Sequence, residues 1–230
     1  MKNVAIMIPF HNSFSWVNLA LQSVKFSRHN MGDCFIVNDG SSIEELQLCN
    51  ELISRTNNLT LINNNGRRGF GGAVNYAISK LKKYKYILVL NSDCLITPNT
   101  VRKLLVPFQE NENTIMSCPY SNNSPDYSYP INDGFSFISQ DKHFNDYFKN
   151  KKIKEYYEAN TIVGNCLMID VSKFLELDGF SSEWGIGYGE ETDLQFRALK
   201  KNYYSYIVLN TYVYHYGGAS FTKINDIEKI

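Results

Sequence analysis

The segment GYGEETDLQFRA, Gly187 to Ala198, places Glu190, Glu191 and Asp193 close together between a glycine-spaced loop and an amphipathic run. A carboxylate so placed can take the proton of a hydroxyl as that hydroxyl attacks a substrate. The same acids also suit the first turn of a helix, where the helix dipole favours negative charge and Glu190 or Thr192 can act in a cap. Leu194, Ala198 and Leu199 would then form the buried stripe. Both readings stay open on this segment alone.

Further polar clusters close apolar runs. YILVLNSD ends on Asn91, Ser92 and Asp93. An acid delivered at the end of a buried strand either closes a turn or holds Mg²⁺ or Mn²⁺, because hard cations take oxygen ligands and share them with substrate phosphates. Asp39, in VNDGS, has the same double reading: Asn, Asp and Gly are turn residues, yet an Asp at a strand's carboxyl end can accept a hydrogen bond from a nucleobase or ribose. GRRGFGGAVNYA opens a helix on Gly66, Gly69, Gly71 and Gly72, with Arg67 and Arg68 where a diphosphate would sit. Its spacing is neither GxGxxG nor GxxxxGK[ST], and it lies in the third βα unit, which argues against a dinucleotide site. His215, in VYHYGG, is either a hydrogen-bonded packing residue or a neutral imidazole ligand for a divalent ion.

The elements that must position these groups follow from the hydrophobic pattern. Runs of strand length (VAIMIPF, CFIVND, LTLINN, YILVLNSD) alternate with helical patterns (WVNLALQSVKF, IEELQLCNELI, GGAVNYAISKLKK). Strands apolar on both faces and separated by helices predict an α/β fold with a parallel sheet covered on each side. Ligands then gather outside the carboxyl ends of the strands, where Pro9 and His11, Asp39, Asn63 to Gly66, and Asn91 to Asp93 fall. Regular patterning returns at NTIVGNCLMID, followed by a short helix at SKFLELDGF, the acidic helix and a β-rich stretch ending at HYGG.

Composition narrows the class. The chain has 230 residues, 43% hydrophobic and 20% charged, with formal net charge +0. That suits one large domain and gives no general electrostatic case for a nucleic-acid partner. Five cysteines without a CxxC pair argue against a disulfide framework or zinc knuckle and point to a reducing cytoplasm. The N-terminus reads as a buried strand rather than a signal peptide, and no run approaches the roughly 20 apolar residues of a membrane-spanning helix. Residues 121–158 are turn-rich, then mixed aromatic and basic, and read as an insertion or lid. Tyr127, Tyr129, Tyr147 and Tyr156 there are expected to form a binding surface of aromatic faces.

In chain order IPFHN, VNDGS, NNGRRGFGGAVNYAI, LVLNSD, GNCLMID, GYGEETDLQFRA and VYHYGGASF resemble the inverting glycosyltransferases of family 2, over nearly the whole chain outside 121–158. The resemblance implies a GT-A fold: a Rossmann-like, mostly parallel sheet flanked by helices, with a smaller acceptor-side β region. Residues 1–230 would form a single domain, with a nucleotide-sugar half at 1–120, the insertion at 121–158, and an acceptor and catalytic half at 159–230. Pro9, His11 and Asp39 match the nucleotide pocket. Gly69 and Asn75 match the motif that approaches the donor; that Arg67 or Arg68 lies near the diphosphate is read from their place at the helix start and not from the resemblance. Asp93 matches the metal-binding last acid of the D-x-D motif; Asn91 stands in place of its first acid and Ser92 lies between. His215 matches a histidine that completes the metal site in some GT-A enzymes. Glu191 matches the general base and Glu190 an acceptor contact; because Glu191 is one methylene longer than the family's usual Asp, Glu190 and Asp193 are the alternative bases.

The resemblance further implies a Mn²⁺ or Mg²⁺ cofactor, a UDP- or dTDP-sugar donor and a glycan or lipid-linked acceptor of bacterial surface polysaccharide. It also implies a cytoplasmic setting, with peripheral contact at the inner face of the membrane. Processive synthases carry QxxRW and membrane helices; their absence from this sequence implies transfer of one sugar per encounter. The competing classes are a sugar nucleotidyltransferase, whose glycine- and arginine-rich loop after the first strand is replaced here by IPFHNSF, and a non-catalytic nucleotide-sugar-binding module.

Overall fold

Val4–Phe10 (β1) is buried along its whole length because parallel neighbours flank it on both sides, Cys34–Asn38 (β2) and Tyr86–Leu90 (β4). Strand alternation divides its side chains between two cores. Ala5 and Met7 join Val74, Ile78 and Phe174 on one face of the sheet, whereas Ile6 and Ile8 join Val17, Leu21 and Leu104 on the other. Strands covered on both faces read as unbroken apolar runs, which is what the sequence shows. Pro9 sits beyond the pairing with β4, which ends at Met7 opposite Val89, so its missing N–H breaks no ladder bond on that side.

The computed structural model describes residues 3–27, 33–64, 66–124, 127–128, 142–143, 146–150, 154–184 and 189–217. After β1 come Phe14–Phe26 (α1), β2, Ile43–Ser54 (α2), Leu59–Asn63 (β3), Gly69–Lys80 (α3) and β4. The chain continues through Cys94–Ile96 (β5), Thr100–Leu104 (α4), Val106–Glu110 (α5), Thr114–Ser121 (β6), Tyr156–Glu158 (β7) and Cys166–Asp170 (β8). It closes with Val171–Glu176 (α6), Glu190–Leu199 (α7) and Tyr204–His215 (β9).

The sheet runs β3-β2-β1-β4-β8-β6-β9-β5, with β7 paired to β9. β3, β2, β1 and β4 are parallel, as expected. In the second half β8 is antiparallel to both β4 and β6, and β9 is parallel to β6 but antiparallel to β5 and β7, so the sheet as a whole is mixed. The chain steps outward from β1 to β2 and β3, then returns to the other side of β1 as β4. A crevice therefore opens at the carboxyl ends of β1 and β4, where the residues after both strands meet.

Two readings of the 121–158 segment change. Its last three residues are the strand β7, part of the central sheet. Tyr127 and Tyr156 are core residues, 5% and 7% exposed, so neither offers a face to a sugar; Tyr147 is exposed. Tyr127 is held by bonds with Cys118 and the Val163 amide, and Tyr156 by Glu110 and an edge contact with Tyr206. Tyr129 and most of the segment lie outside the described residues, as do Asn65, Gly187 and everything after Gly217. All five cysteines are free and buried. Among the described residues, no helix is long and apolar enough to cross a membrane.

Candidate active site

The loops after β1, β2 and β4 are tied together by short polar contacts. His11 donates from Nδ1 to the Asp39 carbonyl at 2.8 Å; a carbonyl only accepts, so Nδ1 carries the proton and Nε2 is left as an acceptor, beside Asn12 Nδ2 at 3.3 Å. The Asn12 amide donates to Ser41 Oγ and its side chain accepts from the Ser42 amide. Ser13 Oγ lies 3.2 Å from Ser92 Oγ, which joins the first loop to the Asn91–Asp93 turn. That turn closes with a bond from the Cys94 amide to the Asn91 carbonyl, 3.1 Å.

Asp39 holds the start of α3. Its carboxylate accepts from the amides of Arg68 (2.7 Å) and Gly69 (2.9 Å) and from Asn64 Nδ2 (3.1 Å). Two of the amides at the helix terminus expected to receive a diphosphate are thus held by a carboxylate. Arg68 packs over the Tyr76 ring, and Arg67 is exposed. The neighbouring glycines serve close approach. Gly69 has φ +72°, and a side chain at Gly71 would press on Phe180 Cβ at 3.3 Å. Asn75, expected at the donor, makes a two-way amide pair with Phe180: Nδ2 donates to its carbonyl (2.7 Å) and Oδ1 accepts from its amide (2.9 Å). That pair fastens α3 to the chain leading into α7.

Asp93 and His215 meet across the β5–β9 edge, with Asp93 Oδ1 3.4 Å from His215 Nε2. Asn122 fixes the His215 backbone from both sides, accepting from its amide (2.7 Å) and donating to its carbonyl (3.0 Å). Burial draws the imidazole down, but the hydrogen bond and charge of Asp93, with a bond to the Asn123 backbone, outweigh it and leave His215 raised. Cys94, which the sequence reading passed over, is the register partner of His215, and its Sγ lies with the Asp93 and His215 donor atoms inside a 4.8 Å span. Among the described residues, the buried Oδ1 atoms of Asn91 and Asn165 have no hydrogen-bond partner. Orphaned acceptors on the turn that carries Asp93 and on Asn165, which is bonded to that turn, fit a site that a cation and its ligand complete.

The structure separates the three acids of α7. Asp193 is bound by Arg197, whose Nε and Nη2 reach Oδ2 at 2.9 and 2.7 Å while its guanidinium also donates to the carbonyls of Leu177 and Gly179. Through Arg197 it ties α7 to the 177–179 turn. Glu190 is 3% exposed and packs toward Gly71 of α3. Glu191 projects over Gly164, and burial, then the charge of Glu190, raise its carboxyl to about 7, against the pull of backbone hydrogen bonds from Glu191 itself and Gly164. One turn on, Gln195 Nε2 donates to the Ala159 carbonyl and fixes the same loop. The Asn165 carbonyl accepts from the Asn91 amide at 2.9 Å. The 164–165 loop therefore touches the Asn91–Asp93 turn through one residue and the α7 carboxylate through the next.

The sequence profile described as Glycosyl transferase family 2 matches residues 5–177. The chain belongs to that family. A family 2 domain accounts for the parallel half, the NSD turn and the GNCLMID strand, and the matched region stops before α7. A curated relative, "Glycosyltransferase GlyG" of Streptococcus pneumoniae serotype 4, is 21% identical over 131 residues, 57% of this chain and 41% of its own length. Among solved structures, GalNAc-T7 with UDP, GalNAc and Mn²⁺ superposes with a TM-score of 0.73 at 18% identity, over 94% of this chain and 44% of its own. The mannosyltransferase PcManGT of Pyrobaculum calidifontis with GDP-Man and Mn²⁺ gives 0.68 at 12% identity, over 93% and 56%. S. aureus TarS 1–349 with UDP-GlcNAc gives 0.65 at 16%, over 97% and 62%. The chain thus spans about half the length of these proteins. These likenesses bear out the GT-A expectation for the fold.

Within this family 2 domain, sequence reasoning missed Gly164, Asn165 and Cys94. A glycine just ahead of a buried strand is a signal for close approach of another group, and Gly164, two residues before β8, carries it.

Proposed function

We propose that the chain is an inverting glycosyltransferase that moves one sugar per encounter from a nucleoside-diphosphate sugar, UDP- or dTDP-linked, to a glycan or lipid-linked acceptor in bacterial surface-polysaccharide assembly. Glu191 is the base. The single observation that carries this reading is a carboxyl raised to about 7 on one side of the 164–165 loop, with the Asp93–His215 pair on the other. A base that titrates near neutral pH is present as carboxylate yet basic enough to take a hydroxyl proton. The GalNAc-T7 and PcManGT structures, each with a nucleotide and Mn²⁺, support a donor and a cation at this edge.

Glu191 Oε accepts the acceptor hydroxyl's proton as that oxygen attacks the anomeric carbon and the bond to the diphosphate breaks. Asp93 and His215 would hold a divalent cation, which when bound neutralises the departing diphosphate's charge. Asn91 Oδ1, His11 and the 39–41 turn line the nucleotide side of the crevice, with Asp39 shaping it through α3. The Glu190 charge keeps the neighbouring carboxyl poised. Held on opposite sides, base and leaving group give a single displacement its alignment.

The test is calorimetric titration of UDP, dTDP, GDP and CDP, each with Mn²⁺ and with EDTA, into wild type and Asp93→Ala. Metal-dependent binding of one diphosphate, lost in the variant, is expected. Binding equal in EDTA and in Asp93→Ala would overturn the metal-assisted reading.

A further inference from the structure

We infer that the acceptor is an anionic chain, bearing phosphate or carboxylate groups, which lies along a basic stripe on α3 that leads from the α7 acids to a lysine-lined cleft. The inference rests on the transferase reading above and adds to it the class of acceptor.

Charge segregation is the first observation. The chain is balanced as a whole, with formal net charge +0, yet residues 52–92 hold seven cations and no acid. Six of the seven gather around α3: Arg67 and Arg68 at its start, and Lys80, Lys82, Lys83 and Lys85 at and beyond its end. All six are exposed. Among the described residues, no ion pair joins any of them to a carboxylate. A field of one sign over such a length draws anions to it.

The second observation is that these cations form a continuous path. The inner side of α3, Ala73, Val74, Ala77 and Ile78, is buried in the core. On the outer side the Arg68 guanidinium carbon lies 5.0 Å, and the Lys80 ammonium 5.2 Å, from the centre of the Tyr76 ring. Both cations therefore meet on one ring, and Arg68 runs along the helix instead of into the donor crevice. At the far end Lys82, Lys83 and Lys85, with Asn3, Tyr84 and Ser172, line a cleft of about 410 Å³. Asp170 also lines it, but its carboxylate is held by Lys173, whose Nζ is 3.2 Å away. Asp33 nearby accepts from the Tyr84 hydroxyl. At the near end a Cβ on Gly71 would lie 3.8 Å from Glu190 Cβ, so the first turn of α3 packs on the helix that carries Glu191.

The shape of the stripe selects the partner. It is one helix wide and about 18 Å long before it enters the cleft, which suits a linear anion, whereas a bilayer presents a plane. None of the large exposed apolar side chains falls between residues 66 and 86, so the stripe has nothing to insert among acyl chains.

Inorganic polyphosphate and polygalacturonate are the probes, with neutral dextran and phosphatidylglycerol vesicles for comparison. Binding to the full chain is measured by calorimetry over a range of salt, for wild type, Lys80→Gln/Lys83→Gln and Lys25→Gln/Arg55→Gln. The last pair removes the same charge from the ends of α1 and α2, which pack on the opposite face of the sheet. Both polyanions should bind wild type and weaken as salt rises. Lys80→Gln/Lys83→Gln should bind them at least about tenfold more weakly, with a salt slope smaller by about two, one for each cation removed. Lys25→Gln/Arg55→Gln should bind as wild type does. Equal loss in the two variants, or dextran bound as well as the polyanions, overturns the inference. Binding to the vesicles but to neither free polyanion also overturns it and makes the stripe a membrane contact. Nucleoside diphosphate affinity should be unchanged in Lys80→Gln/Lys83→Gln; a parallel loss would give the stripe to the donor and overturn its role as an acceptor track. Polyanion binding on the stripe without metal-dependent nucleotide binding would keep the anionic partner and remove the transferase reading. Metal-dependent nucleotide binding with no polyanion binding would do the reverse.

Discussion

A Cβ added to Gly164 would lie 1.9 Å from Glu191 Oε1 and 2.9 Å from its Cδ, so the carboxylate occupies the space that a side chain at position 164 would take. Glycine here leaves the room that the Glu191 carboxylate fills. Gly164→Ala should displace the carboxylate while leaving nucleotide binding within a few-fold, and turnover should fall by about 100-fold, the scale of an ångström's misplacement. Steady-state kinetics beside calorimetric donor affinity check the split.

Asp193 and Arg197 should behave as fold residues. Removing Arg197 leaves the Leu177 and Gly179 carbonyls without this donor, and removing the Asp193 charge leaves the guanidinium without its counter-ion. Asp193→Asn should lower stability by about 1–3 kcal/mol in chemical denaturation while the folded fraction keeps most of its turnover. A stable but inactive Asp193→Asn would return that acid to the catalytic candidates.

Asn75→Ala removes both amide bonds to Phe180. A loss of about 2 kcal/mol in unfolding free energy with donor affinity little changed is expected. Weakened donor binding at unchanged stability would instead make Asn75 a donor contact.

These three residues show what was legible in the sequence. The parallel strands and their helices could be read because burial on both faces leaves unbroken apolar runs. The clusters at strand ends could be read because carboxyl ends collect ligands. The division of labour within GEETD could not: it depends on Arg197 one turn along and on Gly164, 27 residues earlier, coming to opposite sides of one helix. Asp39 and Asn75 look equally polar in sequence, and only their partners show that backbone amides occupy them. The antiparallel half was hidden because β9 draws its neighbours β5, β6 and β7 from distant parts of the chain.

Stability should change with pH through Glu191. Its carboxyl titrates at about 7 in the fold against 4.5 ordinarily. Between those values the unfolded chain has lost a proton that the folded one keeps, so stability from this group falls as pH rises from 4.5 to about 7 and stays lower above. Glu191→Gln removes the penalty. The variant should be more stable than wild type near pH 8, by on the order of 2 kcal/mol, with no such gain near pH 4. Thermal melts at both values decide it.

The most direct test of the account is turnover by Glu191→Gln, measured as nucleoside diphosphate released from the preferred nucleotide sugar across pH, beside donor affinity. Wild-type turnover should rise with pH through about 7. The glutamine variant should bind donor as tightly as wild type and lose at least about 100-fold in turnover, with the pH limb gone. Near-wild-type turnover with the limb intact would contradict the account and place the base elsewhere.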